Sequence, residues 1–107
     1  MKTDVVYVRQ ILDAVAKVER FTEGVSHEEF AADEQKQSAV ILQLMLIGEI
    51  AKKLSSDGKS RIDLPWKDIM GFRDIAIHDY FSIQVDVIWE TVVSDIPFLK
   101  KVLQAEA

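Results

Sequence analysis

The chain has 107 residues, of which 49% are hydrophobic, and it contains four glycines and two prolines. This composition favours one globular domain over residues 1–107 and argues against a disordered chain. The absence of cysteine excludes disulfides, thiolate metal sites and cysteine nucleophiles, and the formal net charge of -5 argues against nonspecific coating of a nucleic-acid duplex.

The first half of the chain is predicted to form helices. Apolar residues at helical spacing predict an amphipathic helix over roughly residues 4–22, which Gly24 ends. Residues 26–29 have the spacing of a capping box, so a short helical turn through Phe30 should follow. A long helix is predicted over residues 34–55, and its middle is apolar nearly all round. Such a helix must be buried on most faces, so we place it at the centre of the fold.

The second half continues the helical pattern. Residues 55–59 predict a break in which Gly58 can adopt the left-handed conformation. Pro65 should open a third helix, because a proline in the first turn sacrifices no hydrogen bond. A last helix is predicted over residues 85–103, and Pro97 should kink it. We therefore predict an all-α, up-and-down bundle of four main helices plus a short helix.

No segment has the properties of a membrane anchor or a leader. The longest apolar runs, at residues 39–42 and 44–47, are far too short to span a bilayer. Residues 1–4 lack the basic start and apolar centre of a signal peptide. We expect a soluble cytoplasmic protein without membrane partners.

Three chemically distinct side chains lie close together near the end of the third helix. Arg73 supplies a fixed positive charge, His78 an imidazole for proton transfer, and Tyr80 a hydroxyl nucleophile. On an ideal helix Tyr80 would lie about 20° from Arg73, whereas His78 would lie about 140° round. A helix end near His78, or a second copy of the chain, would bring the three together. The alternative is an ordinary helix end where cations are favoured by the dipole.

The charges are unevenly distributed along the chain. Residues 52–73 carry six basic and three acidic side chains, whereas the segments on either side are acidic. This segment is either a solvated loop with ordinary lysines or a local anion-binding patch that leads into Arg73.

Other notable residues favour structural roles. His27 lies in a capping turn among carboxylates, which is a poor metal site, and we expect neither a metal ion nor a cofactor. Gly48 inside a helix predicts close helix packing. Glu49 beside it is either paired, with Arg73 as a partner, or exposed. The two tryptophans are more typical of core or dimer-interface anchors than of base-stacking platforms.

The motif Arg73-x4-His78-x-Tyr80 matches the Arg-x4–6-His signature of HEPN domains, in the form with a tyrosine two residues after the histidine. It resembles the HepT toxins of HepT–MntA toxin–antitoxin pairs. The similarity covers nearly the whole chain, with similar residues at positions 9–12, 30, 37–40, 47–49, 64–66 and 88–89.

The resemblance implies a metal-independent RNA endonuclease that acts as a homodimer, with two motifs facing a shared cleft. Arg73 would hold the scissile phosphate and His78 would transfer protons. Tyr80 would accept AMP from a cognate MntA-like nucleotidyltransferase antitoxin, which blocks RNA binding. Many family members have asparagine where this chain has Asp74, whose carboxylate would repel an anionic substrate and partly neutralise Arg73. Asp74 and Glu49 are the expected supporting residues beside the catalytic pair.

Two other hypotheses remain open from the sequence. One is a noncatalytic helical module that presents nucleotide or substrate to a nucleotidyltransferase, and the other is a dimeric scaffold. Loss of RNA cleavage in a His78→Ala variant would separate the nuclease from both.

Overall fold

The computed structural model describes residues 2–106, and within that range it contains helices and turns but no β-strand. The helices are α1 (Lys2–Thr22), α2 (His27–Ala31), α3 (Glu34–Ala51), α4 (Ser56–Arg61), α5 (Trp66–His78), α6 (Val85–Glu90) and α7 (Ile96–Gln104). A 3-10 turn at Tyr80–Ser82 follows α5, and a π-helical segment at Thr91–Asp95 joins α6 to α7. The predicted all-α class is confirmed. No helix in this range is long and apolar enough to cross a membrane.

Helix α3 is the centre of the bundle, as its apolar composition predicted. It lies between α1 and α5, and α7 packs against α1. Val40, Leu44 and Ile47 on α3 are buried in one hydrophobic cluster with residues of the other long helices. Burial of this continuous apolar surface is the main favourable contribution to folding.

Helices α3 and α5 approach each other closely at Gly48. A Cβ atom at this position would lie 2.6 Å from the carbonyl oxygen of Ile69 and 3.0 Å from the Cβ of Arg73. The predicted close packing is therefore confirmed, because only glycine leaves room for the α5 backbone here.

The turn predicted at residues 55–59 is wrong, because Ser56–Arg61 form the short helix α4. Ser55 is its N-cap, and the Ser55 hydroxyl accepts a hydrogen bond from the Gly58 amide at 2.9 Å. Gly58 is helical rather than left-handed, and among the glycines in the described range Gly24 alone has a positive φ. Helix α1 ends at Thr22, the predicted boundary, and Gly24 lies in the turn that follows.

The start of α4 is held by a residue far away in the sequence. The Asp4 carboxylate, which is buried, accepts hydrogen bonds from the Ser55 amide at 3.0 Å and the Ser55 hydroxyl at 2.5 Å. A Cβ at Gly58 would lie 2.5 Å from Asp4 Oδ2. Gly58 is thus needed for space and not for an unusual φ, and α1 fixes the start of α4.

Two helix boundaries also differ from the prediction. Helix α3 ends at Ala51, four residues early, and the Lys59 ammonium donates to the carbonyl oxygens of Ala51 at 3.4 Å and Leu54 at 3.0 Å. A cation at a helix C-terminus satisfies carbonyls that have no partner within the helix. The last helix is interrupted by the π-helical segment just before Pro97, which cannot donate a backbone hydrogen bond.

Candidate active site

The motif lies at the end of α5 and in the turn that follows. The amide of Asp79 still bonds to the carbonyl of Ile75 at 2.8 Å, but Asp79 has a φ of -148° and leaves the helix. His78 is therefore the last helical residue, and Tyr80 begins the 3-10 turn. Of the two arrangements that the sequence allowed, the structure contains the helix end near His78.

Arg73 is oriented by two carboxylates. Its Nε donates to Glu49 Oε2 at 2.5 Å, and its Nη1 donates to Asp74 Oδ1 at 3.1 Å. About a quarter of the side chain is exposed, at 27%. The hydrogen bonds to Asp74 and then Glu49 raise the pKa of Arg73 above its already high ordinary value. Arg73 is thus a permanent cation held in one orientation, and of the two options left open for Glu49 the pairing is observed.

Asp74 is shared by two cations from different helices. The Lys52 ammonium, just beyond the end of α3, donates to the same Asp74 Oδ1 at 2.9 Å. The hydrogen bond from Lys52, followed by that from Arg73, holds the pKa of Asp74 below its ordinary value. Asp74 is therefore fully charged at neutral pH.

The basic side chains of segment 52–73 have different partners. Arg61 pairs with Asp57 at 3.4 Å and with Glu106 at 3.5 Å. The Lys53 ammonium lies 6.0 Å from the centre of the Tyr7 ring. Within this segment, Arg73 and Lys52 both pair with Asp74, the carboxylate inside the motif.

One chain keeps the motif side chains apart. Within the part of the chain that the structure describes, no hydrogen bond joins Arg73, His78 or Tyr80 to another of the three. The Tyr80 hydroxyl lies 3.4 Å from Ser38 Oγ, whereas Arg73 contacts Glu49. Ser38 and Glu49 are about 16 Å apart along α3 at 1.5 Å per residue. Later residues on the α5 side meet earlier residues of α3, so the two helices are antiparallel.

Several exposed apolar side chains lie on the elements that carry the motif or pack against it. Phe81 is 100% exposed, and its ring meets the Tyr80 ring edge-on at 5.9 Å. Leu42 and Leu46 are exposed on α3 between Ser38 and Glu49, and Ile75 and Ile77 are exposed on α5. We call these six residues the apolar rim: Leu42, Leu46, Ile75, Ile77, Tyr80 and Phe81. Exposed apolar side chains such as these are candidates for contact with another molecule.

A model of the family described as ribonuclease HepT-like matches residues 11–106, which include the whole motif and the carboxylates that contact it. The chain belongs to this family. A protein of Thermococcus cleftensis named "Probable ribonuclease HepT" is 40% identical over 95 residues, which cover 88% of this chain and 86% of that protein. A protein of Caldanaerobacter subterraneus subsp. tengcongensis, named as a candidate RNase, is 36% identical over 102 residues, 94% of this chain and 91% of its own. No solved structure matches this chain.

Two residues near the HepT-like motif were missed from the sequence. Lys52 meets Asp74, and Ser38 meets Tyr80. The sequence could have indicated Lys52, because it follows Glu49 by three residues and would lie on the same side of a continued α3 helix. Ser38 carries no such signal, since its contact depends on how α3 and α5 are aligned.

His27 lies outside the motif and has a structural environment. Its ring stacks on Trp89 with centroids 5.7 Å apart, and its Nε2 lies 2.9 Å from Asp86 Oδ1. Trp89 in turn packs against the buried Phe30 at 5.2 Å. His27 is half exposed, as expected, but the contacts that tie α2 to α6 were not predicted. Among the described residues, no group of three or more His, Cys, Asp or Glu side chains could hold a metal ion.

Proposed function

We propose that this protein is the toxin of a toxin–antitoxin pair and acts as a metal-independent RNA endonuclease. The observation that carries the proposal is the family match over residues 11–106, within which the Arg-x4-His-x-Tyr motif is intact. Relatives named as ribonucleases cover most of the chain, which extends the support beyond the motif.

The chemistry needs two groups at the phosphodiester. The exposed His78 imidazole takes the proton from the ribose 2′-hydroxyl, and the 2′-oxygen attacks phosphorus. The bond to the 5′-oxygen breaks, and that oxygen receives a proton from a second imidazole. Arg73 holds the phosphate and stabilises its developing negative charge. The products are a 2′,3′-cyclic phosphate and a free 5′-hydroxyl, so DNA is not cut.

A homodimer supplies the second imidazole. A single chain offers one histidine at the motif. Within that chain Arg73 and Tyr80 contact different ends of α3, at Glu49 and Ser38. The apolar rim borders the motif and would be covered by a second copy of the same surface. Two motifs would then face one cleft, with one His78 as base and the other as acid.

We further propose that Tyr80 is where a cognate MntA-like nucleotidyltransferase antitoxin attaches AMP. Tyr80 is 42% exposed, and among residues 2–106 its hydroxyl has one hydrogen-bonding contact, at 3.4 Å to Ser38 Oγ. The phenol oxygen would attack the α-phosphate of ATP and release pyrophosphate. The attached AMP adds bulk and negative charge beside the cleft, which excludes RNA by steric conflict and repulsion.

A pair of histidine variants tests the nuclease. His78→Ala should lower RNA cleavage by about 10²–10⁴-fold, the usual effect of losing a general acid–base group, and should abolish growth inhibition. His27→Ala is the matched control, because it removes the chain's other histidine and should leave cleavage in place. If His78→Ala cleaves RNA like the unaltered protein, the nuclease assignment is wrong. If the unaltered protein does not cleave RNA, the noncatalytic partner of a nucleotidyltransferase is the better description.

Intact-mass measurement tests the modification. After co-expression with the nucleotidyltransferase, the unaltered protein should gain the mass of one adenylyl group, and Tyr80→Phe should gain none. Tyr7→Phe is the control, because Tyr7 is the chain's other tyrosine. Modification that persists in Tyr80→Phe would place the acceptor elsewhere.

A further inference from the structure

Two cations from different helices converge on one carboxylate oxygen beside the motif. Asp74 Oδ1 accepts from Lys52 Nζ at 2.9 Å and from Arg73 Nη1 at 3.1 Å. The two cationic nitrogens therefore lie within about 6 Å of each other and point at the same spot. An anionic oxygen of a phosphate placed there would meet both donors.

We propose that Lys52 is a second phosphate-binding residue beside Arg73, and that Asp74 competes with the RNA phosphate for both cations. This inference rests on the proposed function and assigns the substrate-binding roles within the same site. The Lys52–Arg73 clamp is formed by the Lys52 ammonium and the Arg73 guanidinium, with Asp74 occupying it when RNA is absent.

The two carboxylates on Arg73 have different consequences. Glu49 binds Nε, which fixes the guanidinium but leaves the edge formed by Nη1 and Nη2. That edge is the pair of donors that can hold a phosphate in bidentate fashion. Asp74 takes Nη1, which is half of this edge. Glu49 is therefore a positioning residue, whereas Asp74 blocks the surface that a phosphate needs.

Exchange between Asp74 and a phosphate is feasible at this position. The side chains of Asp74 and Lys52 are 53% and 35% exposed. Ion pairs between side chains this accessible to water are weak, so an RNA phosphate, which carries the same single negative charge, can displace the carboxylate. The pKa of Asp74 lies below its ordinary value, which means that the competing charge is present throughout the neutral range.

The test compares four proteins: the unaltered chain, Asp74→Asn, Lys52→Met and the double variant. The probe is a fluorescent single-stranded oligouridylate with 2′-O-methyl groups, which can bind but cannot be cleaved. Asp74→Asn should bind it about twofold to fivefold more tightly, the range expected when a weak ion pair no longer competes. Adding Lys52→Met should remove this gain and flatten the dependence of log affinity on log salt by roughly 0.7.

Two matched controls separate the clamp from general charge effects. Asp63→Asn removes one exposed carboxylate and Lys67→Met removes one exposed ammonium from the same basic segment. The inference is overturned if Asp74→Asn binds no better than the unaltered chain or than Asp63→Asn. It is also overturned if Lys67→Met weakens the Asp74→Asn protein as much as Lys52→Met does.

Cleavage of unmodified oligouridylate, measured on the same proteins, distinguishes the two claims. If the RNA is cleaved but Asp74→Asn does not change binding, the clamp is wrong and the nuclease assignment stands. Tighter binding by Asp74→Asn without cleavage in any protein supports the clamp and overturns the nuclease. If the proteins neither bind nor cleave the RNA, both the clamp and the nuclease assignment are wrong.

Discussion

Arg73 combines a fixed orientation with partial access, because its neighbours bind different nitrogens of the guanidinium. Glu49 on α3 takes Nε, and Asp74 on α5 takes Nη1. The close approach at Gly48 brings the two helices near enough for the first contact. The proposed phosphate-binding residue is thus held in place by the fold before any substrate arrives, which lowers the entropic cost of ordering the site.

Asp4, which lies outside the candidate site, contributes to the stability of the fold. It is 5% exposed, and the hydroxyl and the amide of Ser55 hold its pKa below the ordinary value. Losing the charged acceptor should cost about 1–3 kcal/mol, the usual penalty for buried donors left without a partner. We expect Asp4→Asn to lower the melting temperature at pH 7, whereas Asp13→Asn, an exposed acid on the same helix, should not.

This effect should depend on pH with a definite sign. A lowered pKa in the folded state means that Asp4 contributes fully above its ordinary value of 3.8 and loses the contribution as pH falls through the folded-state pKa. The difference in melting temperature between Asp4→Asn and the unaltered chain should therefore be constant near neutrality and shrink below about pH 4. A difference in melting temperature that persists unchanged into acid would contradict the role of Asp4 as a charged acceptor for Ser55.

At the scale of elements, the α3–α5 pair carries the site. Gly48 allows the two backbones to approach, and the antiparallel alignment sets Glu49 against Arg73 and Ser38 against Tyr80. A change in the spacing of these helices would therefore move Arg73 relative to its partners. The site depends on helix packing as much as on the motif residues themselves.

Two glycine variants test this dependence. In Gly48→Ala the new methyl group would lie 2.6 Å from the Ile69 carbonyl oxygen, so α5 must shift, and both melting temperature and RNA cleavage should fall. Gly71→Ala meets nothing within 4 Å and should stabilise the helix by about 0.5–1 kcal/mol with cleavage retained. Thermal unfolding and cleavage rates on both proteins provide the comparison. Equal behaviour of the two would show that the contact at Gly48 does not control the site.

Local patterns in the sequence predicted much of the helical architecture. The apolar circumference of α3 indicated a central helix, and a helix end near His78 was one of the two arrangements that the motif spacing suggested. Helix α4 escaped prediction because its N-cap, Ser55, is held by Asp4, which lies 51 residues away in the sequence. No local pattern contains that contact, and Ser-Asp-Gly is equally typical of a turn.

At the scale of the whole molecule, the apolar rim is a candidate interface with a second copy of the chain. It places exposed leucines, isoleucines and aromatic rings around charged groups that belong to the motif. The residue types at the site were visible in the sequence, but Lys52 and Ser38 join it only through the alignment of α3 with α5. The proposed dimer adds a further level, at which two such faces complete one cleft.

A charge placed on the apolar rim tests the dimer. Leu46→Glu should produce a monomer by light scattering and reduce RNA cleavage at least about tenfold, because burying an unpaired carboxylate in an interface is strongly unfavourable. Val6→Glu is the control, since Val6 is an exposed apolar residue on α1 outside the rim. It should leave both assembly and cleavage intact. A Leu46→Glu protein that remains dimeric would place the interface elsewhere.

The most direct test of the nuclease is cleavage of one RNA with and without a single 2′-deoxy substitution at the cleaved nucleotide, in the presence of EDTA. We expect the unmodified RNA to yield a 2′,3′-cyclic phosphate and a 5′-hydroxyl, and the substituted RNA to remain intact at that position. His78→Ala should cleave neither. Cleavage at the 2′-deoxy position, or activity that EDTA abolishes, would contradict the account.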